Sequence, residues 1–121
     1  MKPVLLVVWV VACVASATSP ARAHAFLDHA APAVGSQVRG APLSVTLWFT
    51  QELEPAFSTV KVLDTQGREV DRGDKGVDPR DRTILRVTLS PLAPGTYRVV
   101  WRVLSLDTHV TEGDFTFTVV P

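Results

Sequence analysis

Apolar residues recur at every second position along most of this chain. Leu43, Val45, Leu47 and Phe49 alternate with Ser44, Thr46, Trp48 and Thr50. In extended backbone, alternate side chains share a face, so this pattern describes a strand with one buried and one solvated side. The pattern returns four times. Val60 and Val62 flank Lys61 within 58–64, and Leu85, Val87 and Leu89 alternate with Arg86 and Thr88 within 82–89. Tyr97, Val99, Trp101 and Val103 alternate with Arg98 and Arg102 within 96–103, and Phe115, Phe117 and Val119 recur within 114–120. Residues 25–29 read as an edge strand, and Glu69 and Val70 as the start of a short return strand. Turn formers separate the runs: Pro42, Pro55, Thr65-Gln66-Gly67-Arg68, Pro91, Pro94 and Gly95. Residues 71–81 are charged and rich in Gly and Asp, which reads as a solvated loop. No stretch has a helical period. About seven one-sided strands bury their apolar faces most simply as two sheets packed together, so the expected fold is an all-β antiparallel sandwich.

The first 23 residues read differently. Lys2 precedes an apolar run, Val4 to Val14, and a weakly polar stretch leads to Ala21-Arg22-Ala23. That order is a secretory signal ending in a small-x-small cleavage site. The apolar run falls short of the roughly 20 residues needed to span a bilayer. Two units are therefore expected: a cleaved leader, 1–23, and one exported domain, 24–121. Losing Lys2 and Arg22 leaves 10 basic residues against 12 acidic ones. That balance gives no electrostatic reason for nucleic-acid or anionic-membrane binding. The single cysteine, Cys13, leaves with the leader, so the domain has neither disulfide nor thiolate. Val10-Val11-Ala12-Cys13 also loosely resembles a lipoprotein cleavage box, which would keep Cys13 as a lipidated terminus and His24 internal.

Cleavage after Ala23 makes His24 the first residue of the mature chain. An N-terminal histidine offers its α-amine and its imidazole Nδ1 to one ion in a single chelate ring. The second feature is Asp107-Thr108-His109, between the last two strong strands. In an extended segment, Asp107 and His109 point to one side and Thr108 to the other. With His24 they supply three nitrogens and one oxygen, a set suited to a tetragonal Cu(II) site. His29 is expected at the surface, pointing away from His24. Gln51, Glu52 and Glu54 form a polar cluster after Phe49, and Trp48, Tyr97 and Trp101 belong to the core or to a wall beside the site. Arg98 and Arg102 form a solvent-facing stripe. No Ser/His/Asp set, Gly-rich phosphate loop or Cys/His zinc spacing is present, so no catalytic residue is assigned.

Three segments resemble the CopC family of periplasmic copper-binding proteins. They are His24-Ala25-Phe26-Leu27 with Pro32-Ala33-Val34-Gly35, the stretch 42–57 around Leu47-Trp48-Phe49-Thr50, and Gly95 to Trp101 continuing through Asp107-x-His109 to Gly113-Asp114-Phe115-Thr116-Phe117. The resemblance implies a seven-stranded Greek-key sandwich or barrel related to cupredoxin and immunoglobulin-like architectures. It implies one Cu(II) per chain held by His24, Asp107 and His109, with a role in copper resistance or homeostasis. It also implies a periplasmic monomer, not inserted in the membrane, working beside a CopD-type inner-membrane copper transporter. Two departures stand out. Some members carry a methionine-rich Cu(I) site, but the only methionine here, Met1, leaves with the leader; and Gln51 stands where some members have a glutamate. Two other readings stay open on the residues alone: a copper-dependent oxidative enzyme built on a histidine brace, and a metal-free immunoglobulin-like interaction module.

Overall fold

The structure, a computed structural model, describes residue 3 and residues 24–121. The leader reading, with Cys13 and the cleavage site at 21–23, lies outside the described residues. Among the described residues, eight strands follow one another: β1 (Leu27–Ala31), β2 (Gln37–Arg39), β3 (Ser44–Phe49), β4 (Thr59–Leu63), β5 (Gly76–Val77), β6 (Ile84–Thr88), β7 (Gly95–Leu104) and β8 (Val110–Val120). A single turn of 3-10 helix, Pro55–Phe57, lies between β3 and β4.

Two four-stranded sheets form, in the orders β1-β3-β6-β5 and β2-β8-β7-β4. The chain crosses between them from β1 to β2, back to β3, over to β4, back to β5 and β6, and finally over to β7 and β8. This is the winding of a Greek-key sandwich. Every pairing is antiparallel except β2 with β8.

The alternating apolar residues meet between the sheets. Val45, Leu47, Leu85 and Val87 come from one, and Val60, Val62, Val99, Val103 and Phe117 from the other, all at 2% exposure or less. Each such side chain contributes about 1.5–3 kcal/mol through burial. Trp101 packs edge-on to Phe49, with ring centres 5.2 Å apart. Its indole lies over Gly113, its partner in the β7–β8 ladder. A Cβ at Gly113 would come within 2.6 Å of the Trp101 ring, so only glycine leaves room. Arg98 and Arg102 face solvent, as expected, and pair with Asp114 at 2.8 Å and Glu112 at 3.7 Å. Exposed pairs of this kind are worth about 0–1 kcal/mol each.

The differences from the alternation pattern have local causes. Leu43 is 83% exposed, because β3 begins one residue later and Leu43 enters the ladder only through its carbonyl. Strand β2 is too short to show a period; parallel pairing of 37–39 with 118–120 creates it. Strand β5 sits inside the expected loop 71–81, where its two residues pair with Arg86 and Leu85. The carboxylates of that stretch organise it. Asp74 accepts from the Thr88 amide at 2.9 Å and the Thr88 hydroxyl at 2.5 Å, and Asp71 accepts from the Val62 amide at 2.9 Å. Glu69 makes only an isolated bridge to Leu63 rather than starting a strand.

Candidate metal centre

The longest ladder, β7 with β8, closes at the pair Leu104 and Val110. Residues 105–109 form the turn beyond it. The Ser105 amide donates to the His109 carbonyl at 3.0 Å, and the Thr108 amide donates to the Ser105 carbonyl at 2.9 Å. Thr108 has φ +71°, in the left-handed region that β-branched residues rarely enter. The segment is therefore a tight turn. The expectation of an extended backbone at 107–109 is corrected, and with it the alternation that turned Thr108 away.

Asp107 and His109 nevertheless come together by a different route. The Ser105 hydroxyl donates to the Asp107 carboxylate. His109 Nδ1 lies 3.4 Å from Asp107 Oδ1, and both side chains are about half-exposed. The Ser105 hydrogen bond holds the Asp107 carboxyl below the usual carboxylate range; partial burial opposes this and His109 adds to it.

His24 reaches the same place from the other end of the chain. Ala25 is fully buried and pins the segment ahead of β1. The Phe26 amide donates to the Thr50 hydroxyl at 2.9 Å, and the Thr50 amide donates to the Phe26 carbonyl at 2.9 Å. Thr50 Oγ1 in turn lies 3.4 Å from the His24 carbonyl. The Thr111 hydroxyl, just past the turn, donates to the Ala25 carbonyl at 2.5 Å, across 86 positions of sequence. Small buried Ala25 thus leaves its neighbours facing outward, His24 half-buried and Phe26 exposed. The His24 and His109 rings meet edge to face, with centres 4.4 Å apart and planes at 71°. Phe26 lies beside His24 at 6.0 Å.

His109 is thus the shared member, touching His24 on one side and Asp107 on the other. Among the described residues, no three His, Cys, Asp or Glu side chains already surround one point as a ligand set. His29 lies elsewhere. It stacks on Trp48 at 4.3 Å with planes 8° apart, and its Nδ1 is 2.6 Å from Asp28 Oδ2. Gln51 and Glu52 join Ser105, Leu106 and Asp107 in a shallow pocket beside the turn. The Glu52 carbonyl accepts from the Leu106 amide at 3.2 Å while its side chain points to solvent. Tyr97 and Trp101 belong to the core, and Trp48 to the His29 stack on the opposite face of its sheet from Leu47.

Three residues that hold the site were not picked out from the sequence: Thr50, Ser105 and Thr111. Lone hydroxyls at strand ends carry no pattern. The available signal was position, since Ser105 and Thr111 sit two residues outside each end of Asp107-x-His109.

Among the described residues, no helix is long and apolar enough to cross a membrane. The CopC domain profile matches residues 27–120, a stretch that includes Asp107 and His109 and starts three residues after His24. The chain is 39% identical over 98 residues to Protein YobA of Escherichia coli (strain K12), with 80% of this chain and 79% of that one covered. It is 36% identical over 107 residues to Copper resistance protein C of Pseudomonas syringae pv. tomato, with 82% of each covered. The crystal structure of CopC from Methylosinus trichosporium OB3b matches with a TM-score of 0.73 at 37% identity, covering 81% of this chain and 95% of that one. Shared fold and shared sequence lead to one conclusion: this chain belongs to the CopC family, and its function concerns copper.

Proposed function

We propose that the protein is exported to the periplasm, that its leader 1–23 is removed, and that the mature chain from His24 binds one Cu(II). In this reading the α-amine and Nδ1 of His24 form one chelate, His109 adds a nitrogen and Asp107 a carboxylate oxygen. Copper is cargo, to be sequestered or handed to a membrane partner of the CopD type. The observation that supports this most is the meeting of the His24 and His109 rings at 4.4 Å from opposite ends of the sequence. Two imidazoles on one rim are a donor set that divalent copper favours over most first-row ions. Asp107 offsets one of the two positive charges of the ion. It also takes a coordination position that a reactant would need, which favours binding over turnover.

The strands flanking the donors are fixed by backbone ladders, so completing the set requires rotation of half-exposed side chains rather than movement of the sheets. Little ordering entropy then opposes binding. The test is intact mass of the exported protein together with a Cu(II) titration. The expected results are a chain starting at His24, one Cu(II) per monomer, and no oxidation of polysaccharide in the presence of a reductant. A chain starting at lipidated Cys13, or a copper-free protein after desalting, would contradict the proposal.

A further inference from the structure

Ser105 lies just past the end of β7 with 1% of its surface exposed, and its hydroxyl is committed to the turn that follows. Its oxygen accepts from the His109 amide at 3.3 Å. Its proton goes to the Asp107 carboxylate, and the His109 carbonyl lies 3.2 Å away. Its backbone bonds both His109 and Thr108. One buried residue therefore contacts every member of Asp107-Thr108-His109.

That residue is itself anchored. Ser105 bridges to Leu53, which is fully buried, and the next amide, Leu106, bonds to Glu52. The anchor belongs to the rigid sandwich, whereas the turn depends on the anchor. Thr108 shows why an anchor is needed. A β-branched residue held at φ +71° is strained and persists only where its surroundings over-determine it.

We infer that Ser105 is the positioning residue of this site: its hydroxyl spans the turn from the His109 amide to the Asp107 carboxylate and keeps both side chains on the side that meets His24. This rests on the reading of His24, Asp107 and His109 as Cu(II) ligands. A single hydroxyl donor occupies one carboxylate oxygen and leaves the second for a cation. Groups that orient metal ligands in this way affect affinity by about 10–100-fold when removed.

The test combines Ser105→Ala, Asp107→Ala and the double variant, each measured by competitive Cu(II) titration, by EPR at copper saturation and by thermal unfolding without metal. Ser105→Ala is expected to bind Cu(II) about 10–100-fold more weakly, with altered copper hyperfine splitting. In the Asp107→Ala background the same change is expected to cost less, because one of the two groups it positions is gone. A folded Ser105→Ala with wild-type affinity and spectrum would overturn the inference. So would an equal loss in both backgrounds, since the hydroxyl would then not act through the Asp107 carboxylate. Should Ser105→Ala not fold, Ser105→Thr carries the test: it retains the hydroxyl, and a folded Thr variant is expected to keep the wild-type spectrum. A changed spectrum there would also overturn the inference. Failure of the wild-type protein to bind Cu(II) would overturn the underlying reading of the site, and this inference with it.

Discussion

Among the described residues, two histidine–aspartate pairs occur, and only one has a second nitrogen donor beside it. On the outer face of the first sheet, His29 sits 2.6 Å from Asp28 and lies flat on Trp48. At the end of the sandwich, His109 sits 3.4 Å from Asp107 and edge-on to His24. Judged by the carboxylate alone, the first pair is the tighter. Its neighbours are one residue away in sequence or directly across a ladder, however, and they offer an indole face instead of a ligand. The second pair is met by the segment just ahead of β1, brought there by buried Ala25 and by Thr50 and Thr111. Topology, and not the local pairing of imidazole with carboxylate, makes the second pair a candidate centre.

The largest effect that would sharpen this contrast is removal of each imidazole in turn. His109→Ala is expected to weaken Cu(II) binding by at least about 100-fold, or about 2.7 kcal/mol, whereas His29→Ala leaves it unchanged. Equal losses in a competitive titration would erase the distinction between the pairs. The carboxylates come next. Asp107→Asn keeps the shape of the side chain but removes its charge, so affinity should fall about tenfold. The bound ion should also become easier to reduce, read as a higher potential by voltammetry. Asp28→Asn should change neither quantity.

How much of this was legible in the sequence depends on the range of the interaction. The core strands were legible because alternation is local: Val45, Leu47, Val87, Val99 and Phe117 all point where the period of two sends them. Strands β2 and β5 were not, since a three-residue or two-residue strand has no period and exists only through its partner. The candidate ligands were legible as residue types at suggestive positions, but the shape of their turn was not. Alternation predicted an extended Asp107-Thr108-His109, whereas Ser105 folds it back and puts Thr108 in the left-handed region. The hydroxyls of Thr50, Ser105 and Thr111 carry information only once the two ends of the chain are seen side by side.

Thr111 probes that long-range tie. Thr111→Val preserves shape but removes the hydrogen bond to the Ala25 carbonyl, leaving that acceptor short of a partner. Cu(II) affinity should fall by about three- to tenfold, equivalent to the roughly 0.5–1.5 kcal/mol of one such bond. An affinity equal to wild type would show that Ala25 burial and Thr50 suffice to hold His24.

The smallest effect concerns Asp74, a carboxylate held by a threonine hydroxyl much as Asp107 is held by Ser105, but with no histidine beside it. Its carboxyl is held below the usual range, first by the Thr88 hydroxyl and then by the Thr88 amide. A carboxyl that is more acidic folded than unfolded stabilises the fold above the ordinary carboxylate range, and that contribution disappears as pH falls through the lowered folded value. Asp74→Asn should therefore lower thermal stability slightly at neutral pH and make the remaining stability less sensitive to acid. Copper affinity should be untouched. A loss of Cu(II) binding in Asp74→Asn would mean that the 71–81 loop and the histidine end are coupled, contrary to the separation drawn above.

His24 is proposed to act through both of its nitrogens as the first residue of the mature chain. The most direct measurement is Cu(II) affinity, by competition with a chelator from about pH 8 to about pH 5, for the chain beginning at His24 and for the same chain with one alanine added ahead of it. The addition keeps the imidazole but turns the amine into an amide. The added alanine is expected to cost at least about 100-fold at the upper pH. The extended chain is also expected to show a shallower pH dependence, because one fewer proton competes with the ion. Equal affinity and an equal pH slope for the two chains would rule out the amine as a ligand.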